Sequence, residues 1–247
     1  MHEREIELAT RDGRMPVFVT HPEEGRHPTV IFFMDALGIR EELRDMARRI
    51  GTVGYYVMLA NLFYRDGGPS FDPALLPTEG PDPKMLRINM ATTHAMVLAD
   101  TEAMLGFAAD DPAARDPIGT IGYCMGGRHA YAAAGRFPER VAAMVSLHAG
   151  FQVTDRPDSA HLLTRHIKAE CYFGFADGDP LSPTEHQKII AEECARWGVA
   201  HRLEIFPGAA HGFTFPQRYC YHKPSAERAW ERVFALLGRR LRQTFIA

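Results

Sequence analysis

One cysteine of the chain lies in a setting suited to covalent catalysis. Cys124 stands between Gly122 and Gly126, where the apolar run 118–121 passes into the alanine-rich run 129–135. A G-x-C-x-G sequence between a strand and a helix is the nucleophile-elbow pattern, with Cys in the usual place of Ser. Glycine suits both flanks because the strand and the helix cross closely there, and the N-terminal end of a helix favours a thiolate. The pattern predicts a reactive thiol at a sharp turn, although a cysteine at the end of a strand is ordinarily a packing residue.

Two carboxylates and a histidine follow Cys124 in the chain order nucleophile, acid, histidine. Asp177 and Asp179 come directly after the apolar run 170–176, and His211 comes after the run 201–206. Parallel strands place their carboxyl ends at one edge of a sheet, so these side chains are expected to meet there. His211 would take the thiol proton and return it to the leaving group, while a carboxylate orients the imidazole. We predict that Asp179 is this acid and that Asp177 is a turn residue; the competing interpretation of His211 is a loop histidine without a role.

Apolar runs of strand length alternate with runs of helical spacing along the chain. This alternation is typical of an α/β protein with a mostly parallel central sheet flanked by helices on both faces. An antiparallel hairpin is predicted at residues 6–8 and 16–20 because a turn-like Arg-Asp-Gly separates the two runs. Further strands are predicted at 29–34, 54–59, 118–121, 141–147, 169–176 and 201–206, and helices at 40–53, 89–108, 129–135, 183–197 and 225–243. Residues 61–83 and 151–166 are predicted loops, and residues 1–247 are expected to form a single domain because no repeat or linker is visible.

Composition excludes several classes of protein. Lys and Arg number 28 against 31 Asp and Glu, a net charge of −3, so neither a nucleic-acid partner nor an anionic membrane is expected. The charged N-terminus has no apolar signal segment, and no apolar stretch is long enough to span a bilayer. The four cysteines have no metal-ligand spacing. We therefore expect a cytoplasmic protein with reduced thiols that uses neither a metal nor another cofactor.

Three segments together resemble one known family. Gly-Tyr-Cys-Met-Gly-Gly at 122–127, Asp-Pro-Leu-Ser-Pro at 179–183 and Ala-His-Gly-Phe at 210–213 are similar to the dienelactone hydrolase family of α/β-hydrolases, whose members use Cys-His-Asp triads. The resemblance runs over nearly the whole chain. It implies an α/β-hydrolase fold and hydrolysis of an ester or lactone, such as carboxymethylenebutenolide to maleylacetate, through a thioester on Cys124. The alternatives are a carboxylesterase with another small substrate and a ligand-binding protein on this fold, and either a monomer or a homodimer is compatible with the sequence.

The resemblance also assigns an oxyanion hole. The backbone N–H groups of Ala36 and Met125 match its two donors, which would stabilise the developing oxyanion. Asp35 stands where the family has a glutamate that contacts the resting thiol and helps to deprotonate it. The aspartate side chain is one methylene shorter, so we leave two interpretations open for Asp35: this gating role, or the N-cap of the following helix.

Substrate-binding positions depart further from the family pattern. An arginine that holds the substrate carboxylate four residues after the triad histidine is replaced here by Phe215. Arg65 and Arg87 are possible replacements because a planar guanidinium suits carboxylate recognition. Three more residues near predicted strand ends are candidates for lining the pocket, with packing as the competing explanation: Tyr64, Tyr123 and His148.

Overall fold

The computed structural model describes residues 1–242 and contains one eight-stranded sheet, in the order β1-β2-β4-β3-β5-β6-β7-β8. The strands are β1 (His2–Thr10), β2 (Gly13–His21), β3 (His27–Phe33), β4 (Tyr56–Ala60), β5 (Ala114–Tyr123), β6 (Val141–Leu147), β7 (Glu170–Ala176) and β8 (His201–Phe206). The predicted hairpin is present, with Ile6 opposite Val17, and β2 also pairs antiparallel with β4. All pairings from β4 through β8 are parallel. The carboxyl ends of β3, β5, β6, β7 and β8 therefore lie along one edge of the sheet.

Seven α-helices accompany the sheet within residues 1–242. They are α1 (Glu41–Thr52), α2 (Leu76–Glu79), α3 (Pro83–Ala91), α4 (His94–Asp110), α5 (Met125–Arg136), α6 (Thr184–Arg196) and α7 (Lys223–Leu241). Helices cover both faces of the sheet, as two successive residues of β5 show. A Cβ on Gly119 would meet leucines of α7 on one face. On the other face, the Thr120 hydroxyl donates a hydrogen bond to the Ala130 carbonyl of α5. The strands are accordingly apolar on both faces, with every residue of β4 buried. The predicted mostly parallel sheet with helices on both faces is confirmed.

One predicted helix is wrong in its extent. Residues 89–108 were expected to form a single helix, but α3 ends at Ala91 and α4 begins at His94. Thr92 leaves the helical conformation, and the hydroxyl of Thr93 accepts a hydrogen bond from the Met96 N–H and so caps α4. The apolar spacing continues across this break, which is why spacing alone did not reveal it.

Other predicted segments differ in detail. The predicted loop 151–166 ends in a 3₁₀ helix at Ala160–His166, and the helix predicted at 129–135 runs over Met125–Arg136. The stretch 61–83 is mostly irregular but contains two short 3₁₀ turns and α2. The last helix begins two residues earlier than predicted, and the predicted end at Gln243 lies outside the described residues. No helix within residues 1–242 is both long and apolar enough to cross a bilayer.

Candidate active site

The turn after β5 holds Cys124 in a conformation that L-residues rarely adopt. Its φ is 53° and its ψ is −116°, which indicates a backbone strained by the close crossing of β5 and α5. A Cβ on Gly122 would lie 2.0 Å from the carbonyl oxygen of Gly126, and a Cβ on Gly126 would lie 2.2 Å from that of Phe33. Only glycine fits at either flank. The strained turn leaves Cys124 as the N-cap of α5, partly exposed at the sheet edge.

Three predicted side chains meet at this edge. Nε2 of His211 lies 3.1 Å from Sγ of Cys124, and Nδ1 of the same ring lies 2.7 Å from Oδ2 of Asp179. The other carboxylate oxygen of Asp179 accepts a hydrogen bond from the Leu181 N–H. Cys124, His211 and Asp179 are thus joined by two hydrogen bonds, an arrangement that would allow a proton to move from sulfur to imidazole.

The structure separates the two competing carboxylates. Asp179 is buried against His211. Asp177 is exposed, and its side chain accepts a hydrogen bond from the backbone N–H of Gly208. The geometry therefore gives Asp179 the contact with the histidine and Asp177 the turn contact.

Charges around the thiol favour its ionised form. Burial alone would raise the pKa of Cys124, but the charge and hydrogen bond of His211, together with the Arg218 charge, outweigh burial and lower it. Burial in turn opposes a charged His211, yet the Cys124 thiolate and the Asp179 carboxylate raise the pKa of the imidazole. The two groups stabilise each other as a thiolate–imidazolium pair.

The two predicted oxyanion donors flank the elbow. Met125 is the first residue of α5, and the first N–H groups of a helix have no acceptor within it. Ala36 follows β3, and Gly126 packs directly on the end of that strand, against the carbonyls of Phe33 and Met34. The segment after β3 and the start of α5 are therefore neighbours, as two donors aimed at one oxyanion must be.

Asp35 is fully buried and held by two arginines. Its carboxylate accepts hydrogen bonds at 2.8 and 2.9 Å from Arg40, a further one from Nη2 of Arg218, and one from the Leu37 N–H. Burial alone would raise the pKa of Asp35, but the charges of Arg218 and Arg40 hold it below its ordinary value. The N-cap position of α1 is occupied by Arg40, whose side chain makes no capping hydrogen bond, so Asp35 is not the N-cap. The carboxylate is engaged with the arginines, whereas the Cys124 thiol bonds to His211.

Arg218 is a residue of this site that sequence analysis missed. It lies seven positions after His211 instead of four, and its guanidinium stacks 4.2 Å from the ring centre of Phe215. It is buried, pairs with Asp35, and favours the Cys124 thiolate through its charge. No local pattern marks it, because its position depends on the turns between β8 and α7.

His148 and Tyr123 are buried behind the histidine. The His148 ring packs edge-on against His211, with centroids 5.3 Å apart, and its Nε2 lies 2.7 Å from the Thr214 hydroxyl. Burial lowers the pKa of His148 well below its ordinary value, so the ring is neutral. Tyr123 is packed between Phe32, His148, Phe215 and Trp230, and its hydroxyl has no hydrogen-bond partner within residues 1–242. Both side chains make packing contacts in this structure.

Tyr64 and Arg65 are engaged elsewhere. Arg65 donates two hydrogen bonds of 2.8 Å to Asp100 and also pairs with Asp12, while the Tyr64 hydroxyl bonds to Thr10 and Asp100. These contacts join the β1–β2 turn to α4. Arg87 is exposed and lies 3.5 Å from Asp66. The structure therefore does not gather these side chains with Cys124 and His211.

The sheet order, the helices on both faces and the elbow at the end of β5 define an α/β-hydrolase fold. The model of the dienelactone hydrolase family matches residues 15–241. The chain belongs to the dienelactone hydrolase family, and hence to a family of hydrolases.

Individual relatives agree with this assignment. The chain is 28% identical over 222 residues to a Synechocystis sp. protein provisionally named carboxymethylenebutenolidase, covering 88% of each chain. It is 25% identical over 239 residues to a Bradyrhizobium sp. protein provisionally named 2-oxo-3-(5-oxofuran-2-ylidene)propanoate lactonase, covering 94% of this chain and 92% of the relative. A solved Klebsiella pneumoniae structure, provisionally described as a dienelactone hydrolase, shares the fold with a TM-score of 0.85 at 21% identity, over 96% of this chain and 98% of that one.

Proposed function

We propose that this protein hydrolyses a small ester or lactone through a thioester on Cys124. The observation that carries the proposal is the pair of contacts made by one ring: His211 lies 3.1 Å from the Cys124 sulfur and 2.7 Å from the Asp179 carboxylate. A thiolate at a strained turn, beside a histidine that can carry its proton and near the backbone N–H groups of Ala36 and Met125, suits acyl transfer.

In the first half of the reaction, the Cys124 thiolate attacks the carbonyl carbon and forms a C–S bond. The carbonyl oxygen becomes an oxyanion, which accepts hydrogen bonds from the N–H groups of Ala36 and Met125. The oxyanion then collapses and the C–O bond to the leaving group breaks. The imidazolium of His211, stabilised by Asp179, donates its proton to the departing oxygen.

In the second half, a water molecule attacks the thioester carbonyl carbon. His211 accepts a proton from this water, the C–S bond breaks, and the acid product leaves while the thiolate–imidazolium pair forms again. In a lactone the leaving oxygen belongs to the acyl chain, so ring opening gives one product. The relatives' names suggest a lactone of the carboxymethylenebutenolide type, which would open to maleylacetate.

The test is intact-protein mass spectrometry after rapid mixing with 4-nitrophenyl esters and with an unsaturated carboxylated lactone, with product release followed in parallel. We expect turnover and a transient acyl adduct that peptide mapping assigns to Cys124. Cys124→Ala should remove both the adduct and turnover, and Cys124→Ser should retain little activity because the site is built for a thiolate.

A second thiol provides the matched control. Cys220 is also partly exposed, and its sulfur lies 3.0 Å from the backbone oxygen of His211. Cys220→Ala should keep both adduct and turnover. Turnover that survives in Cys124→Ala, or an adduct that maps to Cys220, would overturn the proposed mechanism. Folded protein with neither adduct nor product would favour a ligand-binding role.

A further inference from the structure

Three arginines converge on one carboxylate at the edge of the sheet. Glu204 lies on β8, the last strand in the sheet order, and its side chain is only 8% exposed. Its Oε2 oxygen lies 3.3 Å from Nε of Arg202 on the same strand and 3.3 Å from Nε of Arg232 on α7. Its Oε1 oxygen accepts a hydrogen bond from Nε of Arg228, and the Tyr172 hydroxyl donates to Oε2. Four donors therefore surround a carboxylate that offers about four acceptor positions.

The single negative charge of Glu204 does not balance three positive ones. Burial alone would raise the pKa of Glu204, but the hydrogen bond from Arg228 and the charges of the three arginines hold it below its ordinary value, so the carboxylate is ionised at neutral pH. Arg202 and Arg232 contact the same oxygen atom, which brings their guanidinium groups well within a Debye length, and they repel each other. Two positive charges remain in excess here, although the whole chain has a net charge of −3.

The terminal nitrogens of these arginines have no acceptor within residues 1–242. Arg228 and Arg232 donate to Glu204 through Nε alone, and Arg202 also approaches Glu204 most closely through Nε. The Nη1 and Nη2 groups, which hold four of the five N–H donors of a guanidinium, make no hydrogen bond to a described residue. All three side chains are partly exposed, so these donors are open to a solute.

Two of the three arginines line a cleft between α7 and the strands β7 and β8. The cleft has an empty volume of about 360 Å³, and Arg202, Arg232 and Arg239 contribute to its wall. Arg239 pairs with Glu170, which lines the same cleft, so this pair adds no net charge. An alanine and a leucine of α7 form an apolar part of the wall. The excess positive charge thus lies beside a space that accommodates a small anion.

This cleft is separate from the proposed active site. Tyr172 and Arg202, which pair across β7 and β8, lie near the amino-terminal ends of these strands. Asp179 and His211 instead follow the carboxyl ends of the same two strands. None of the three triad residues lines the cleft. An anion bound there would occupy a second site on the protein.

We propose that this cleft binds a phosphate group through the guanidinium groups of Arg202 and Arg232, with the charge of Arg228 beside them. A phosphate dianion carries the two negative charges that the cluster lacks, and its oxygens match the paired donors of arginine. The ligand is inorganic phosphate or a small organic phosphate monoester, whose carbon atoms would contact the apolar part of the wall. The inference is independent of the hydrolysis proposed for Cys124, because binding requires no turnover.

The test is isothermal titration calorimetry of the unmodified protein at constant ionic strength and about pH 8, where a phosphate monoester is a dianion. The probes are inorganic phosphate, phenyl phosphate and, as a monoanion, acetate. We expect saturable binding of a phosphate, with acetate at least about tenfold weaker. Tighter binding of phenyl phosphate than of inorganic phosphate would identify an organic monoester as the ligand class, and the reverse order would identify free phosphate.

Variants on two different elements locate the binding. Arg232→Gln on α7 and Arg202→Gln on β8 should each weaken phosphate binding by about tenfold or more, because each removes one charged pair of donors. Arg240→Gln is the matched control, since Arg240 is also an arginine of α7 but contacts only the backbone carbonyl of Ala142. It should bind phosphate as the unmodified protein does. Phosphate should also raise the melting temperature of the unmodified protein and of Arg240→Gln, because a ligand of the folded state stabilises it.

Melting curves without ligand establish that each variant is folded. Because Arg202 and Arg232 lie on different elements, one variant still tests the site if the other fails to fold. The proposal would be overturned if neither phosphate shows saturable binding to the unmodified protein or if acetate binds as tightly. Unchanged phosphate affinity in a folded Arg202→Gln or Arg232→Gln protein would also overturn it.

Discussion

The Oδ2 oxygen of Asp179 lies 2.7 Å from Nδ1 of His211, while Asp177, two residues earlier, is exposed and bonds to the backbone N–H of Gly208. The glycine between them has a φ of +63°, a conformation that side chains rarely adopt. This turn sends the two carboxylates in different directions. The Asp179 carboxylate contacts His211, and the Asp177 carboxylate accepts a hydrogen bond from the Gly208 N–H.

This separation predicts different effects for two otherwise similar substitutions. Asp179→Asn should reduce kcat by about 10⁴-fold, because the amide supports the wrong imidazole tautomer and cannot stabilise the imidazolium. Asp177→Asn should leave kcat within about twofold, because an amide oxygen still accepts the Gly208 hydrogen bond. Steady-state kinetics with a neutral 4-nitrophenyl ester, alongside melting curves for both variants, measures the difference. A loss in Asp177→Asn as large as that in Asp179→Asn would exchange the two roles.

The thiolate–imidazolium pair predicts a shifted pH dependence of alkylation. A free cysteine has a pKa of about 8.5, and the pKa of Cys124 is lowered by His211 and Arg218 despite burial. The thiolate therefore persists to lower pH than that of an ordinary cysteine, and alkylation slows only as the pH falls through the lowered pKa. Iodoacetamide kinetics in a Cys220→Ala background should show a midpoint of the pH dependence below about 8.5. His211→Gln should raise this midpoint, because the imidazole charge that offsets the effect of burial on the Cys124 pKa is then lost. A midpoint at or above the free value in the unmodified site would contradict the ion pair.

Local patterns made much of this arrangement predictable. The apolar runs marked the strands, and glycines at 122 and 126 marked the elbow, because a side chain at either position would overlap a backbone oxygen. The convergence of Cys124, Asp179 and His211 followed from strand ends that share an edge. Their catalytic roles stay predictions.

Other features were out of reach because they depend on distant segments. Arg218 meets Asp35 across 183 positions of sequence, and Arg128 meets Asn89 across 39. Nothing in the spacing of an arginine says whether packing will bury it with a carboxylate, as for Arg218, or without one among residues 1–242, as for Arg128. The prediction of a single helix at 89–108 was wrong for a local reason. The Thr93 cap begins a new helix there, although the apolar pattern continues across the break.

The buried charges at Asp35 predict a coupled change in stability and reactivity. Asp35→Asn leaves Arg218 without its counter-ion and should cost about 3–5 kcal/mol in the free energy of unfolding, the usual cost of breaking a buried pair. The Asp35 charge also raises the pKa of Cys124, so its removal should move the midpoint of alkylation to lower pH. Urea denaturation and iodoacetamide kinetics measure the two effects.

Glu42→Gln is the control for this coupling, since Glu42 pairs with Arg40 in the same network. It should lower stability while leaving the alkylation midpoint in place. The pKa of Asp35 is lowered in the folded state. The stability from its pairing is therefore present above about pH 3.9 and is lost as the pH falls through the lowered value. An Asp35→Asn variant as stable as the unmodified protein at neutral pH would contradict the buried network.

The contacts of Arg65 indicate a structural role, whereas the sequence suggested that it contacts the substrate. Asp100 is fully buried and receives two hydrogen bonds from Arg65, which is 14% exposed in its side chain. Arg65→Gln leaves that carboxylate with only the Tyr64 hydroxyl among its partners within residues 1–242 and should lower the free energy of unfolding by about 3 kcal/mol. Arg87→Gln, at an exposed pair 3.5 Å apart, should change it by less than about 0.5 kcal/mol. The KM for a carboxylated ester distinguishes a structural role from a substrate contact. We expect Arg65→Gln to lose stability without a rise in KM. A rise in KM without loss of stability would instead indicate that Arg65 contacts the substrate.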